Sequence, residues 1–113
     1  MAFTIKQGDT LPEINATLTT GPSSGSQSAV DLTNASDVIL VIKPTTGGSA
    51  TRLTGEVDGT PTDGNVKYEW QAGDTDTAGN YNAEWEITFS SGDIQTFPND
   101  SYFSIIIAAD LDG

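Results

Sequence analysis

Polar and apolar positions alternate along the chain in short runs. Ile14, Ala16 and Leu18 alternate with Glu13, Asn15, Thr17 and Thr19. Val38, Leu40 and Ile42 form an aliphatic row opposite Ile39, Val41 and Lys43, and Val66, Tyr68 and Trp70 alternate with Lys67, Glu69 and Gln71. The longest run sets Tyr81, Ala83, Trp85, Ile87 and Phe89 against Asn82, Glu84, Glu86 and Thr88. In extended backbone a period of two puts the first set of each run on a core and the second in water. Helical spacing never persists for three turns, so no long helix is expected. Further strands are predicted at Phe3–Lys6, Ala50–Leu53, Asp93–Phe97 and Tyr102–Ala108.

Turn signals separate these runs: Gly21-Pro22, Lys43-Pro44, Gly47-Gly48, Asp63-Gly64, Ser91-Gly92-Asp93 and Pro98-Asn99-Asp100. About seven short strands with a turn roughly every 8–12 residues predict an all-β fold, an immunoglobulin-like antiparallel β-sandwich. The 113 residues suit a single domain, 1–113. Within it, Gly21–Ser28 reads as a Gly/Ser-rich loop too short to separate domains.

The strongest local pattern is Asp74-Thr75-Asp76-Thr77-Ala78-Gly79-Asn80-Tyr81. An acidic residue, Gly, a spacer and then Tyr at the head of an alternating strand is how a tyrosine corner reads in a sandwich. Asp76, Gly79 and Tyr81 are therefore structural candidates, with the Tyr81 hydroxyl expected to bond to backbone near Asp76 or Thr77. Trp70 and Trp85 fall on the apolar sides of their runs and are expected in the core rather than as sugar-stacking platforms.

Charge and missing residue types narrow the chemistry. Lys and Arg total 4 against 16 Asp and Glu, a formal charge of −12. So few cations cannot neutralise a phosphate backbone, which excludes nucleic acid as a partner and disfavours anionic membranes. The longest wholly apolar runs, Val38–Ile42 and Ile105–Ala109, are five residues each, against about 20 for a membrane helix. The start of the chain lacks the basic-then-apolar pattern of a secretory signal, so a soluble protein made in the cytoplasm is expected. Cys and His are both absent, which removes thiolate chemistry, zinc–sulfur sites and the commonest general base. No cofactor and no metal site are expected.

The remaining motifs read as structural. Asp74, Asp76 and Gly79 fit the first, third and sixth positions of a calcium-binding EF-hand loop, but Ala78 and Trp85 stand where further ligands are required. Gly21-Pro22-Ser23-Ser24-Gly25 spells a nucleophile elbow without the His that a hydrolase needs. Glu84 and Glu86 lie about 7 Å apart along one strand face, a separation some glycosidases use, yet a solvated strand face is the simpler reading. No catalytic residue is assigned.

Several blocks resemble a known family. Phe3-Thr4-Ile5-Lys6-Gln7-Gly8-Asp9-Thr10-Leu11-Pro12 and Val30-Asp31-Leu32-Thr33-Asn34-Ala35 are similar to the phage baseplate-upper-protein N-terminal-like (BppU-like) domain. So are Val66-Lys67-Tyr68-Glu69-Trp70-Gln71-Ala72-Gly73-Asp74-Thr75-Asp76-Thr77-Ala78-Gly79 and Gln95-Thr96-Phe97-Pro98-Asn99-Asp100. The resemblance implies an immunoglobulin-like sandwich and a non-enzymatic structural role in a tailed-phage virion. The partners it implies are other virion proteins, of the capsid or of the tail and baseplate, together with further copies of the chain. In the named baseplate proteins further segments follow this domain. With the sequence ending at Gly113, capsid decoration is as open an expectation as baseplate. The alternative is an adhesin-like module that binds host glycans, which a row of exposed aromatics would mark. An exposed aliphatic patch or a free strand edge would mark docking instead. Weak self-association at low salt is expected, because the charges on two copies repel.

Overall fold

The computed structural model describes residues 2–20, 27–98 and 102–111. Eleven strands and one 3-10 turn lie among these residues, in the order β1 (Ala2–Lys6), β2 (Ile14–Thr17), β3 (Thr19–Thr20), β4 (Ser28–Ala29), β5 (Ala35–Pro44), β6 (Thr51–Thr54), β7 (Glu56–Val57), the 3-10 turn Pro61–Asp63, β8 (Asn65–Tyr68), β9 (Gly79–Phe89), β10 (Ile94–Phe97) and β11 (Phe103–Ala108). The fold is an all-β sandwich of immunoglobulin-like character.

The large sheet runs β1-β11-β9-β5-β6, with β10 also on β9. The 11-residue β9 is its spine. Along one side it pairs β5 from Ala35↔Phe89 to Pro44↔Tyr81. Along the other it pairs β11 over its first half and β10 over its second. Strands β10 and β11 thus act as one strand in two pieces, interrupted beyond Phe97 by Pro98, whose peptide bond with Phe97 is cis. At the far edge β1 pairs β11 in parallel, Ile5 opposite Ile107, so the sheet is mixed rather than wholly antiparallel. The small sheet is β2-β8-β7.

The inward rows of the two sheets make one core. Val38, Leu40, Ile42, Ala83, Trp85, Ile87, Ile105 and Ile107 from the large sheet meet Ile14, Val66 and Tyr68 from the small one. The alternation of β9 holds along the strand: Tyr81, Ala83, Trp85 and Ile87 are buried and the residues between them are partly exposed.

Several strand limits differ from those the sequence pattern predicts. The alternation of burial runs on through Leu18, but β2 ends at Thr17, and the buried Leu18 instead bonds through its N–H to the carbonyl of Gly64 at 2.8 Å. Beyond it the chain turns into the β3–β4 ribbon. Strand β8 stops at Tyr68, so Trp70 is buried from a loop rather than a strand. Pro44, expected in a turn, is the last residue of β5. The strand count exceeds the expected seven or so because, besides the strands the sequence runs mark, β3, β4 and β7 are two-residue pairings too short to leave a periodic signal.

The chain changes sheets at Gly55. Its N–H still bonds Val38 of the large sheet at 2.8 Å, while Glu56 next to it already pairs Lys67 of the small one. A Cβ at Gly55 would stand 2.6 Å from the Lys67 carbonyl oxygen and 3.3 Å from the Trp85 ring. Only glycine lets the strands approach this closely.

Candidate functional site

The residues around Tyr81 form a structural knot. The Tyr81 ring is buried, and its hydroxyl donates to the carbonyl of Thr77 at 2.6 Å. Gly79 precedes it with φ 152°, a backbone conformation that side-chain-bearing residues rarely adopt. One turn upstream, the Asp74 carboxylate accepts the Gln71 N–H at 2.8 Å and the Tyr68 hydroxyl. Burial, reinforced by that carboxylate, pushes the Tyr68 phenol well above its ordinary pKa.

Thr75 is the buried polar residue of this loop. Its hydroxyl donates to the Asp9 carbonyl at 2.8 Å, and its own carbonyl accepts the Gly8 N–H at 3.1 Å. The Gln7 side-chain amide donates to the Asp76 carbonyl at 2.6 Å. Asp76 therefore joins the knot through its backbone while its side chain is exposed. The sequence pattern pointed to Asp76, Gly79 and Tyr81; of these Tyr81 bonds through its side chain, and Gln7, Asp74 and Thr75 supply the other side-chain bonds of the knot. Tyr68 lies six residues before Asp74, whereas Asp9 is 66 residues from Thr75, a pairing only the fold makes. Among the described residues no cluster of carboxylates is arranged to hold a metal ion.

Trp70 and Trp85 are in the core, 3% and 2% exposed. Phe3 stacks on Trp70 at 6.0 Å, and Tyr68 meets it edge-on at 5.4 Å. Neither indole N–H finds an acceptor among the described residues, so packing alone holds both rings. Among those residues the exposed large hydrophobic side chains are Leu11, Ile94, Tyr102 and Leu111, a set with one aromatic. The string Gly21–Gly25 lies outside the described residues.

Glu84 and Glu86 project from the outer face of the large sheet. Arg52 of β6 reaches diagonally across β5 to grip Glu86 through two nitrogens, at 2.6 and 3.4 Å. These bonds hold the Glu86 carboxyl below its ordinary pKa and raise that of Arg52. A glycosidase pair needs one carboxyl raised to act as a proton donor. Here Glu86 is driven the opposite way.

The two outer faces of the sandwich differ in charge. On the small sheet, Lys67 stands among Glu13, Glu56, Asp58 and Glu69, whose fields raise its pKa, Glu13 most strongly. Only Glu56 comes within ion-pair distance, at 3.7 Å. An open groove of about 390 Å³ runs past Glu56, Lys67, Glu69 and Gln71. A second, of about 640 Å³, passes Asn15, Asp58 and Asn65. Both grooves are open rather than enclosed, and polar residues make up most of their lining. No model of a known protein family matches the chain, and no curated protein matches it.

Proposed function

We propose that this chain is a non-enzymatic structural protein of a tailed-phage virion, an immunoglobulin-like module that docks on larger virion proteins of the baseplate and tail or of the capsid. Two independent lines support the reading. One is the resemblance of its blocks to the BppU-like domain. The other, which carries the docking itself, is the acidic outer face of the small sheet, where four carboxylates surround the single Lys67. A partner with a matching basic patch would be steered to that face and held in one orientation. Repetition over a symmetric lattice would multiply a modest contact into a stable attachment.

The test is localisation. Antibody against the chain, applied to purified particles of the phage that encodes it, should label heads or tails in electron micrographs. Absence of the protein from washed particles by mass spectrometry would overturn the virion reading. The glycan-binding alternative has Tyr102 as its one exposed aromatic among the described residues, and binding of a host cell-wall glycan abolished by Tyr102→Ala would revive it.

A further inference from the structure

The outward face of the large sheet has a composition unlike the rest of the molecule. Register places Lys6, Lys43 and Arg52 on it together with Asp37, Glu84 and Glu86. Its charges balance. The chain's formal charge of −12 is therefore carried entirely by residues outside this face. At the centre lie Ile39 and Val41, partly exposed, with Thr54, Thr88, Thr96, Asn82 and Ser104 around them. Ile106 and the 63% exposed Ile94 add apolar surface toward opposite ends of the strands.

We infer that this face is a self-association surface, and that its occupant is a second copy of the chain. A like-charged copy is repelled by the acidic small-sheet face but meets no net charge here. A basic partner, by contrast, is drawn to the small-sheet face and gains no net attraction at this one. The placement of charges favours self-pairing as well. Lys6 and Lys43 lie toward the Gly79 end of β9, whereas Asp37, and Glu86 in its pair with Arg52, lie toward its Phe89 end. A two-fold axis between the copies, running across the strands, sets the basic end of each face over the acidic end of the other. That is the self-complementarity an isologous dimer requires.

Size is adequate too. Five strand positions at about 4.8 Å spacing and roughly 3.3 Å per residue project roughly 600 Å². Accessible area exceeds flat projection, which brings the face close to the about 800 Å² per partner of a standard interface. An apolar centre within a polar, charge-paired rim is the usual anatomy of such contacts.

The pairing does not depend on the virion reading, and it is tested on the isolated full chain. Sedimentation should find monomer at about 10 mM salt, and dimer at about 100 μM protein in about 0.5 M salt, where repulsion between the remaining charges is screened within about 4 Å. Val41→Glu should weaken the dimer at least tenfold, whereas Thr62→Glu, which adds the same charge at an exposed site off the face, should change it less than twofold. Lys43→Glu, an exposed substitution that spares the packing, should weaken it about as much as Val41→Glu. A protein that stays monomeric at high salt overturns the inference. So does a dimer that Val41→Glu, Lys43→Glu and Thr62→Glu weaken equally, or one that dissociates as salt rises.

Discussion

The hydroxyl of Tyr81 donates a 2.6 Å hydrogen bond to the carbonyl of Thr77, four residues upstream, across the turn that leads into the central strand. The bond ties the crossing between sheets to β9, on which β5, β10 and β11 all assemble. Tyr81→Phe keeps the ring but leaves the Thr77 carbonyl without this partner, and should cost about 1–3 kcal/mol. Tyr81→Ala also opens a cavity and should cost about 3–5 kcal/mol or prevent folding. Asn82→Ala, on the opposite face, should stay within about 0.5 kcal/mol. Denaturant midpoints decide. Equal stability of Tyr81→Phe and the parent would remove the corner from the list of what holds this fold.

Gly55 is a second critical position, for steric rather than hydrogen-bonding reasons. A methyl group there overlaps the Lys67 carbonyl oxygen, a backbone atom that cannot swing aside. Gly55→Ala should therefore cost about 1–3 kcal/mol as β7 and β8 are forced apart. Thermal melting measures it, and an unchanged midpoint would mean that the crossing between sheets relaxes freely.

Tyr68 links stability to alkaline pH. Its folded pKa is raised by burial and by the Asp74 carboxylate, so the folded state holds the phenolic proton more tightly than the unfolded chain. Such a group stabilises fully below the unfolded phenol pKa of about 10, and that contribution is lost as pH climbs from there toward the folded value. In Tyr68→Phe the fall in stability above about pH 10 should be shallower than in the parent. Parallel slopes in urea titrations across this range would show that Tyr68 is not the group responsible.

Glu86 behaves in the reverse sense at low pH. Arg52 lowers its folded pKa, so the pair contributes stability above the unfolded carboxylate value and loses it as pH falls through the folded one. Arg52→Ala should return the Glu86 titration toward that of an ordinary glutamate, followed by NMR of its side-chain carboxyl carbon. Because the pair is surface-exposed, its effect on stability should be small and should shrink with salt. A Glu86 titration unmoved by Arg52→Ala would break the link between the two.

The hydrolase alternative has a direct check. Glu84→Gln and Glu86→Gln should leave any particle-associated glycan cleavage unchanged. Loss of cleavage by a folded Glu84→Gln protein would assign a catalytic role to a carboxylate that is here read as part of a solvated sheet face.

What the amino-acid sequence determined by itself is the local alternation. Tyr81 to Ile87, Val38 to Ile42 and Val66 to Tyr68 bury every second residue because extended backbone has a period of two. The Gly79-Asn80-Tyr81 signature was legible for the same reason, since donor and acceptor lie four residues apart in one segment. Strand pairing ends before the alternation of burial does. Trp70 is buried beyond the end of β8 against Phe3 and Tyr68, and Leu18 is held by Gly64 from another element. Which strands neighbour which, and so which surface residues meet, was decided by tertiary structure alone. Arg52 finds Glu86 across β5, Thr75 finds Asp9, and Lys43 shares a row with Asn82 and Ser104. Each pairing joins residues far apart in the chain, set by sheet register that no local pattern encodes. The same register gathers three cations and three carboxylates onto the large sheet and leaves the small sheet acidic, a division that composition reports only as a single net charge.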